Sequence, residues 1–242
     1  MSILRRPPDA IYPEWMQPDP GPAIAPRISG TAMPHGVFMS TGNARTAGDL
    51  ALIGTGLSIA ILGSLGLALT YVVSWVIEQF AAWPLTGMLL MVGPEISPTE
   101  APWLELGLNV LMLLSFLVLM RVTPLSGYHA AEHKVIGAIE HFGEPTMENA
   151  RIMPRAHIRC GSNLLAGLLP LLLFGPPLYL ISPIAAVVIA ILGWSFRFPL
   201  GYLIQQVFAT KEPTERQLRA GLEAGRKIRT AFVAAEGKEL IS

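Results

Sequence analysis

The sequence predicts an all-α polytopic membrane protein of about four transmembrane helices, with a cytoplasmic helical insert and a cytoplasmic C-terminal amphipathic helix. Three observations predict it. Of the 242 residues 52% are hydrophobic and 14% charged, where an ordinary soluble domain carries about 25% charged residues. Long apolar stretches recur along the chain. The basic residues avoid one of the loops between these stretches. Cys160 is the single cysteine, which excludes an intramolecular disulfide. The zero net charge gives no reason to expect a nucleic-acid partner. No apolar run follows Arg5 and Arg6 as a signal peptide would require.

Residues 1–29 read as a disordered or extended cytoplasmic tail, because Pro7, Pro8, Pro13, Pro18, Pro20, Pro22 and Pro26 remove backbone donors every few residues. The remainder, 30–242, reads as a single membrane domain. It opens on a short apolar segment, Gly30 to Met39, expected to be a strand or a turn.

The first span is expected at about 50–77, 28 residues without a charge, which at 1.5 Å per residue exceeds a hydrocarbon core of about 30 Å. A loop over 78–105 follows, whose middle, Leu85 to Val92, is too short to cross. The second span covers about 103–120 and stops at Arg121. From Leu164 to Phe196 a further 33 uncharged residues are interrupted by Pro170, Pro176, Pro177 and Pro183. One straight helix of that length would measure about 50 Å, so two spans are expected, 164–181 and 183–199, or a re-entrant pair, breaking near 176–183. After Pro213 comes a helix over 214–236, opened by the capping box Thr214 and Gln217. Its apolar face is Leu218, Leu222, Gly225, Ile228 and Phe232, and its basic face Arg216, Arg219, Arg226 and Lys227. That helix is expected to pack on the protein itself rather than lie on anionic lipid.

Orientation follows from the 17 basic residues. Four precede the first span, five lie in 121–163 and eight run from Arg197 to Lys238, whereas the 78–105 loop has none. The positive-inside rule then puts both termini and the 121–163 segment in the cytoplasm. Self-consistency requires 164–196 to cross an even number of times or to re-enter.

The 121–163 segment carries the chemistry. Ser126 is expected to cap a helix over about 127–141. On it His129, Glu132 and His133 share one face, so two imidazoles can bind one divalent metal while the carboxylate takes a proton from water, the arrangement of H-x-x-E-H. Gly143-Glu144-Pro145 is a turn, and Thr146 caps a short helix that Pro154 ends. His157 and Cys160 are further metal-competent groups, and an extended 155–160 would put His157 and Arg159 on one face. Glu140 is expected to pair with a basic neighbour, His141 to face solvent, Glu148 to be a helix N-terminal charge, and Arg151 and Arg155 to meet lipid headgroups. None of the five histidines lies in an expected span, which disfavours a pigment carrier ligating within the bilayer.

Gly127 to Lys134, Glu148 to Arg151, His157 to Ser162, Gln205-Gln206, Thr210 to Pro213 and Gln217 to Ala224 together resemble, in type and order, the YqhQ-like family (domain of unknown function 1385). The resemblance covers most of 30–225. It implies a multi-pass protein of the bacterial cytoplasmic (inner) membrane and a metal-dependent enzyme. One departure concerns the N-terminal side. His35 stands where relatives typically carry a glutamate, and since both groups bind zinc, manganese or iron, His35 is a further candidate ligand.

Two functions are expected from these residues. The first is metal-assisted hydrolysis of a membrane-associated substrate at the cytoplasmic face. In it His129 and His133 hold zinc (manganese or iron as alternatives) with His157, Cys160 or His35, Glu132 is the general base, and Arg159 steadies negative charge. The second is a non-enzymatic scaffold or accessory subunit of a membrane complex, in which a closed structural metal site ties the 121–163 segment together.

Overall fold

A computed structural model describes residues 28–33, 36–41, 45–81, 83–90 and 101–239, with side chains over 60–81, 83–90 and 102–230. The proline-rich stretch to residue 27 and His35 lie outside the described residues.

The described chain is helical, as expected, apart from one antiparallel hairpin in the segment expected to be a strand or a turn. Strands β1 (Ile28–Met33) and β2 (Gly36–Thr41) pair with Ile28 opposite Thr41 and Met33 opposite Gly36. Alternation of small and apolar residues between glycines suits strand pairing better than a helix, which those glycines would weaken.

Helix α1 (Arg45–Ala81) is followed by the short α2 (Leu85–Leu89) and by α3 (Ala101–Val122). Among the described residues, the stretch of α1 able to cross a membrane is Ala60–Ala81, which extends past the expected end at residue 77. The helix continues through Glu78 because that carboxylate has a partner: it accepts the Thr86 N–H at 2.6 Å and the Thr86 hydroxyl, satisfying a free donor in the first turn of α2.

Helix α4 (Leu125–Phe142) starts after a two-residue corner at Thr123 and Pro124. Ser126 does not cap it, contrary to expectation. Pro124 takes the cap position, and the Ser126 hydroxyl donates back to the carbonyls of Arg121 and Thr123 at 3.1 and 3.2 Å. Gly143 closes the helix in the left-handed region, φ 71°, with its N–H on the Ile139 carbonyl; a side chain is strained there, so glycine is required. Helix α5 (Met147–Ile152) is capped by Thr146, whose hydroxyl accepts the Asn149 N–H at 3.1 Å.

Helix α6 (Ser162–Ile181) holds Pro170, Pro176 and Pro177 within it and ends at extended Ser182, and Pro183 then opens α7 (Pro183–Ser195). The expected break therefore falls at Ser182, where proline is favourable as a first helical residue. The two helices fold back on each other: Gly167, early in α6, lies against Gly193, late in α7. This hairpin returns the chain to the side on which it began. The 183–199 stretch is not one straight span. Helix α8 (Arg197–Ile204) leaves α7 at a bend of 67°, and 13 residues of α7 reach only about 20 Å. Among the described residues, three helices are thus long and apolar enough to cross a membrane, or up to four if the bent pair counts as one. By length and composition these helices suit a membrane protein.

Helix α8 runs into a π-turn, Gln205–Ala209, and the chain then enters α9 (Glu215–Glu239). The capping box is reciprocal: Thr214 Oγ1 accepts the Gln217 N–H at 3.3 Å, and Gln217 Oε1 accepts the Thr214 N–H at 2.9 Å. Leu218, Leu222 and Ile228 of α9 are buried with Ala131, Val135, Ile136 and Ala138 of α4 and with Met153. The amphipathic helix therefore packs on the protein, as expected. Gly225 permits this approach, since a Cβ there would lie 2.6 Å from Val135 Cγ1.

Candidate metal centre

His129 and His133 lie one turn apart on α4, with ring centroids 4.3 Å apart. Their ring nitrogens are sorted by the backbone. His129 Nδ1–H donates to the Ala209 carbonyl at 3.1 Å, and His133 Nδ1–H donates to the Arg155 carbonyl at 2.7 Å. Both imidazoles are thereby left with Nε2 as the free ligand atom, the tautomer that outer-sphere carbonyls impose on metal-binding histidines.

The third donor comes from a turn rather than an extended segment. Residues 157–160 close on the Cys160 N–H to His157 carbonyl bond of 3.1 Å, which swings Cys160 towards α4. Its Sγ lies 3.3 Å from His129 Nε2 and accepts from the hydroxyl and N–H of Ser162, at 3.1 and 3.5 Å, where α6 begins. The ligand atoms of His129, His133 and Cys160 all lie within 4.8 Å of one another. Two imidazole nitrogens and one sulfur at this spacing can hold a metal ion, and such a donor set suits zinc's tetrahedral N/S coordination with a position to spare.

The electrostatics fit the same use. Burial alone would raise the Cys160 thiol, but His129 and His133 beside it outweigh that and hold it well below the usual thiol range. Burial likewise opposes protonation of His129, yet the charge and hydrogen bond of Cys160, then Glu132 and the Ala209 carbonyl, push it up to about 9, so its Nε2 faces the Cys160 sulfur with a proton that a metal ion would displace. His133 moves downward, through burial and the neighbouring His129 charge. The two imidazoles thus favour the thiolate, the form that binds metal, over the thiol.

The remaining candidates fall into a second group. His157 is turned away from the three donors. Its Nε2 meets Glu140 Oε2 at 3.1 Å and its Nδ1 accepts the Arg159 N–H at 3.3 Å, so both ring nitrogens are engaged, although its ring stands 5.7 Å from that of His133. Arg159 Nη1 reaches the other Glu140 oxygen at 2.9 Å, and nearly half of its side chain is exposed. Glu140 is held below the ordinary carboxylate range: burial opposes this, but the hydrogen bond and charge of His157 and the charge of Arg159 outweigh it. Glu132 is buried beside the donors, close enough to bear on His129, but is not one of the three that converge. His141 and Glu148 are exposed. Arg155 does not serve as a surface charge: its guanidinium binds the Gln206 side chain at 2.7 Å and the Gln206 carbonyl at 3.2 Å.

Sequence reasoning did not find Ala209 and Arg155, which act through carbonyls that every residue possesses. Gln205 and Gln206 carried a signal only as part of the family resemblance. Buried Gln205 accepts the His157 N–H at 2.7 Å and donates to Asn163 Oδ1 at 3.1 Å, fixing the start of the turn that delivers Cys160.

Comparison with known proteins adds a lineage. The chain is 28% identical over 198 residues to "Uncharacterized protein YqhQ" of Bacillus subtilis (strain 168), a match covering 69% of this chain and 59% of that relative's length. No solved structure matches. A family described as "Protein of unknown function (DUF1385)" matches residues 56–197, a region that includes His129, His133 and Cys160. The chain belongs to the DUF1385 family.

Proposed function

We propose that this chain is a metal-dependent hydrolase of the bacterial cytoplasmic membrane, acting at the cytoplasmic face on a membrane-associated substrate, with a divalent ion, zinc by its donor set, on His129, His133 and Cys160. One observation carries the reading. Both histidines donate Nδ1–H to backbone carbonyls, which leaves two Nε2 atoms and the Cys160 sulfur facing a common point. Three protein donors with a carboxylate alongside are the pattern of a catalytic rather than a closed structural site.

A bound divalent ion supplies Lewis acidity and makes water a nucleophile near neutral pH. The protein's own residues do the rest. Glu132, buried next to His129, accepts the proton of the attacking water on a carboxylate oxygen and returns it to the leaving group. Arg159, fixed by Glu140, offers its exposed guanidinium edge to negative charge developing on the substrate. Cys160 lies two residues before Ser162, the first residue of the membrane-length helix α6, which favours a substrate whose reactive group lies at the bilayer surface.

A structural-metal scaffold is the competing reading. It is favoured by the way the three donors tie α4 to the 157–160 turn. Lipid extract incubated with the purified protein in oxygen-labelled water separates the two. Hydrolysis predicts label in a product formed by wild type and lost in Glu132→Gln at unchanged metal content. Metal in both proteins with label in neither contradicts the enzyme.

A further inference from the structure

We propose that the π-turn Gln205–Ala209 is the outer support of the metal centre, setting the geometry of all three donors, with Gln206 as the positioning residue for His133. The inference rests on the metal-binding reading and goes beyond it by assigning a task to residues that bind no metal.

The hydrogen-bond register changes at the end of α8. An α-helix continuing from α8 would direct the Thr210 N–H to the Gln206 carbonyl, four residues back. Here it goes to the Gln205 carbonyl at 2.9 Å, and the Thr210 hydroxyl reinforces the same acceptor at 2.7 Å. The wider turn releases the Gln206 carbonyl, which accepts from Arg155 Nη2, while the Gln206 side chain accepts from Arg155 Nε. Arg155 is thus gripped at two points by one residue, and its own carbonyl is the acceptor that holds His133 Nδ1–H.

The other two donors depend on the same five residues. The chain leaves the helix at extended Thr210, so the Ala209 carbonyl has no helical donor, and Pro213 four residues on has no N–H to offer it. It is therefore open to accept His129 Nδ1–H. Gln205, with no exposed surface, holds the His157 N–H through its side chain and so fixes the turn that presents Cys160. Single π-turns are frequent at functional sites, and here the shifted register at the end of α8 frees the Gln206 carbonyl that a regular helix would have consumed. Because the turn continues α8, which follows the α6–α7 hairpin, the arrangement also mounts the centre on the membrane part of the chain.

The test uses full-length protein in detergent, with zinc affinity read by competition against a chromogenic chelator and coordination read from the absorption spectrum of the cobalt-loaded form. Gln206→Leu removes the side-chain acceptor but no ligand, and is expected to weaken zinc binding about 10- to 100-fold and to alter the cobalt spectrum. Gln206→Glu keeps an acceptor for Arg155 and should restore both. Wild-type zinc affinity and an unchanged spectrum in Gln206→Leu overturn the inference. Should Gln206→Leu fail to fold, Arg155→Lys takes its place: it keeps the charge and the carbonyl but loses the two-point grip, so weakened binding supports the inference and unaltered binding overturns it. Wild-type protein that binds neither zinc nor cobalt instead overturns the metal reading, and this inference with it.

Discussion

Glu140 holds two partners at once, His157 on one oxygen and Arg159 on the other, and its titration makes that arrangement measurable. Its folded-state pKa is depressed from 4.5, so the unfolded chain binds the proton more readily and stability rises with pH across that window. The contribution is fully present above about 4.5 and disappears as pH falls through the lower folded value. Glu140→Gln is therefore expected to destabilise the protein at neutral pH by about 1–3 kcal/mol, with the gap closing in acid. Thermal unfolding of both proteins in detergent, followed from neutral pH to below 4.5, checks it, and a gap independent of pH contradicts it. At this scale the histidine pair was legible because a four-residue spacing on a helix fixes a shared face. The division of the other candidates was not. Nothing in the local order of His157, Arg159 and Cys160 says that the sulfur turns to His129 while the imidazole turns to Glu140, since a β-turn replaces the extended geometry on which alternation rests. The acceptors for His129 and His133 are backbone carbonyls and leave no mark in the residue types.

Among the elements, the α4–α9 contact determines whether the helix bearing the histidines is held rigidly. Gly225→Val puts a branched side chain where a Cβ already lies 2.6 Å from Val135 Cγ1, an overpacking expected to cost about 1–3 kcal/mol. The predicted results are a lower unfolding midpoint and faster proteolysis within α9; an unaltered midpoint would mean that α9 does not dock on α4 through this face. Helix α9 was readable from its 3.6-residue apolar period and its Thr214–Gln217 box, and α5 from Thr146 and Pro154, because caps and prolines act locally. The α4 start was misread because Ser126 has a preferred acceptor in the preceding corner, the Arg121 carbonyl, which only the adjacency of α3 and α4 supplies. The π-turn was invisible for a related reason: its register depends on Thr210 and Arg155 competing for carbonyls, not on any propensity of Gln205 to Ala209. The bend after Ser195 has Arg197 and Pro199 just beyond it, but neither residue type by itself specifies a turn of 67°.

For the whole molecule, composition alone was enough to indicate membrane-length helices, since apolar runs of this length have few other uses. A strand or turn was legible at Gly30 to Met39 from its glycines, but not that the β1–β2 hairpin would lie against α4 and α9. What unites the scales is a centre built from parts distant in sequence: α4 gives His129 and His133, the loop before α6 gives Cys160, and the end of α8 fixes their orientation. Because the three donors converge on one point, removal of a single donor should empty the site. The decisive measurement is metal content with X-ray absorption on protein purified without chelators, wild type against His133→Ala. The account predicts about one equivalent of metal, zinc foremost, in wild type, with a sulfur and two nitrogens among its neighbours, and most of it lost in the variant. Metal-free preparations of both proteins, or a bound ion with no sulfur neighbour, would contradict it.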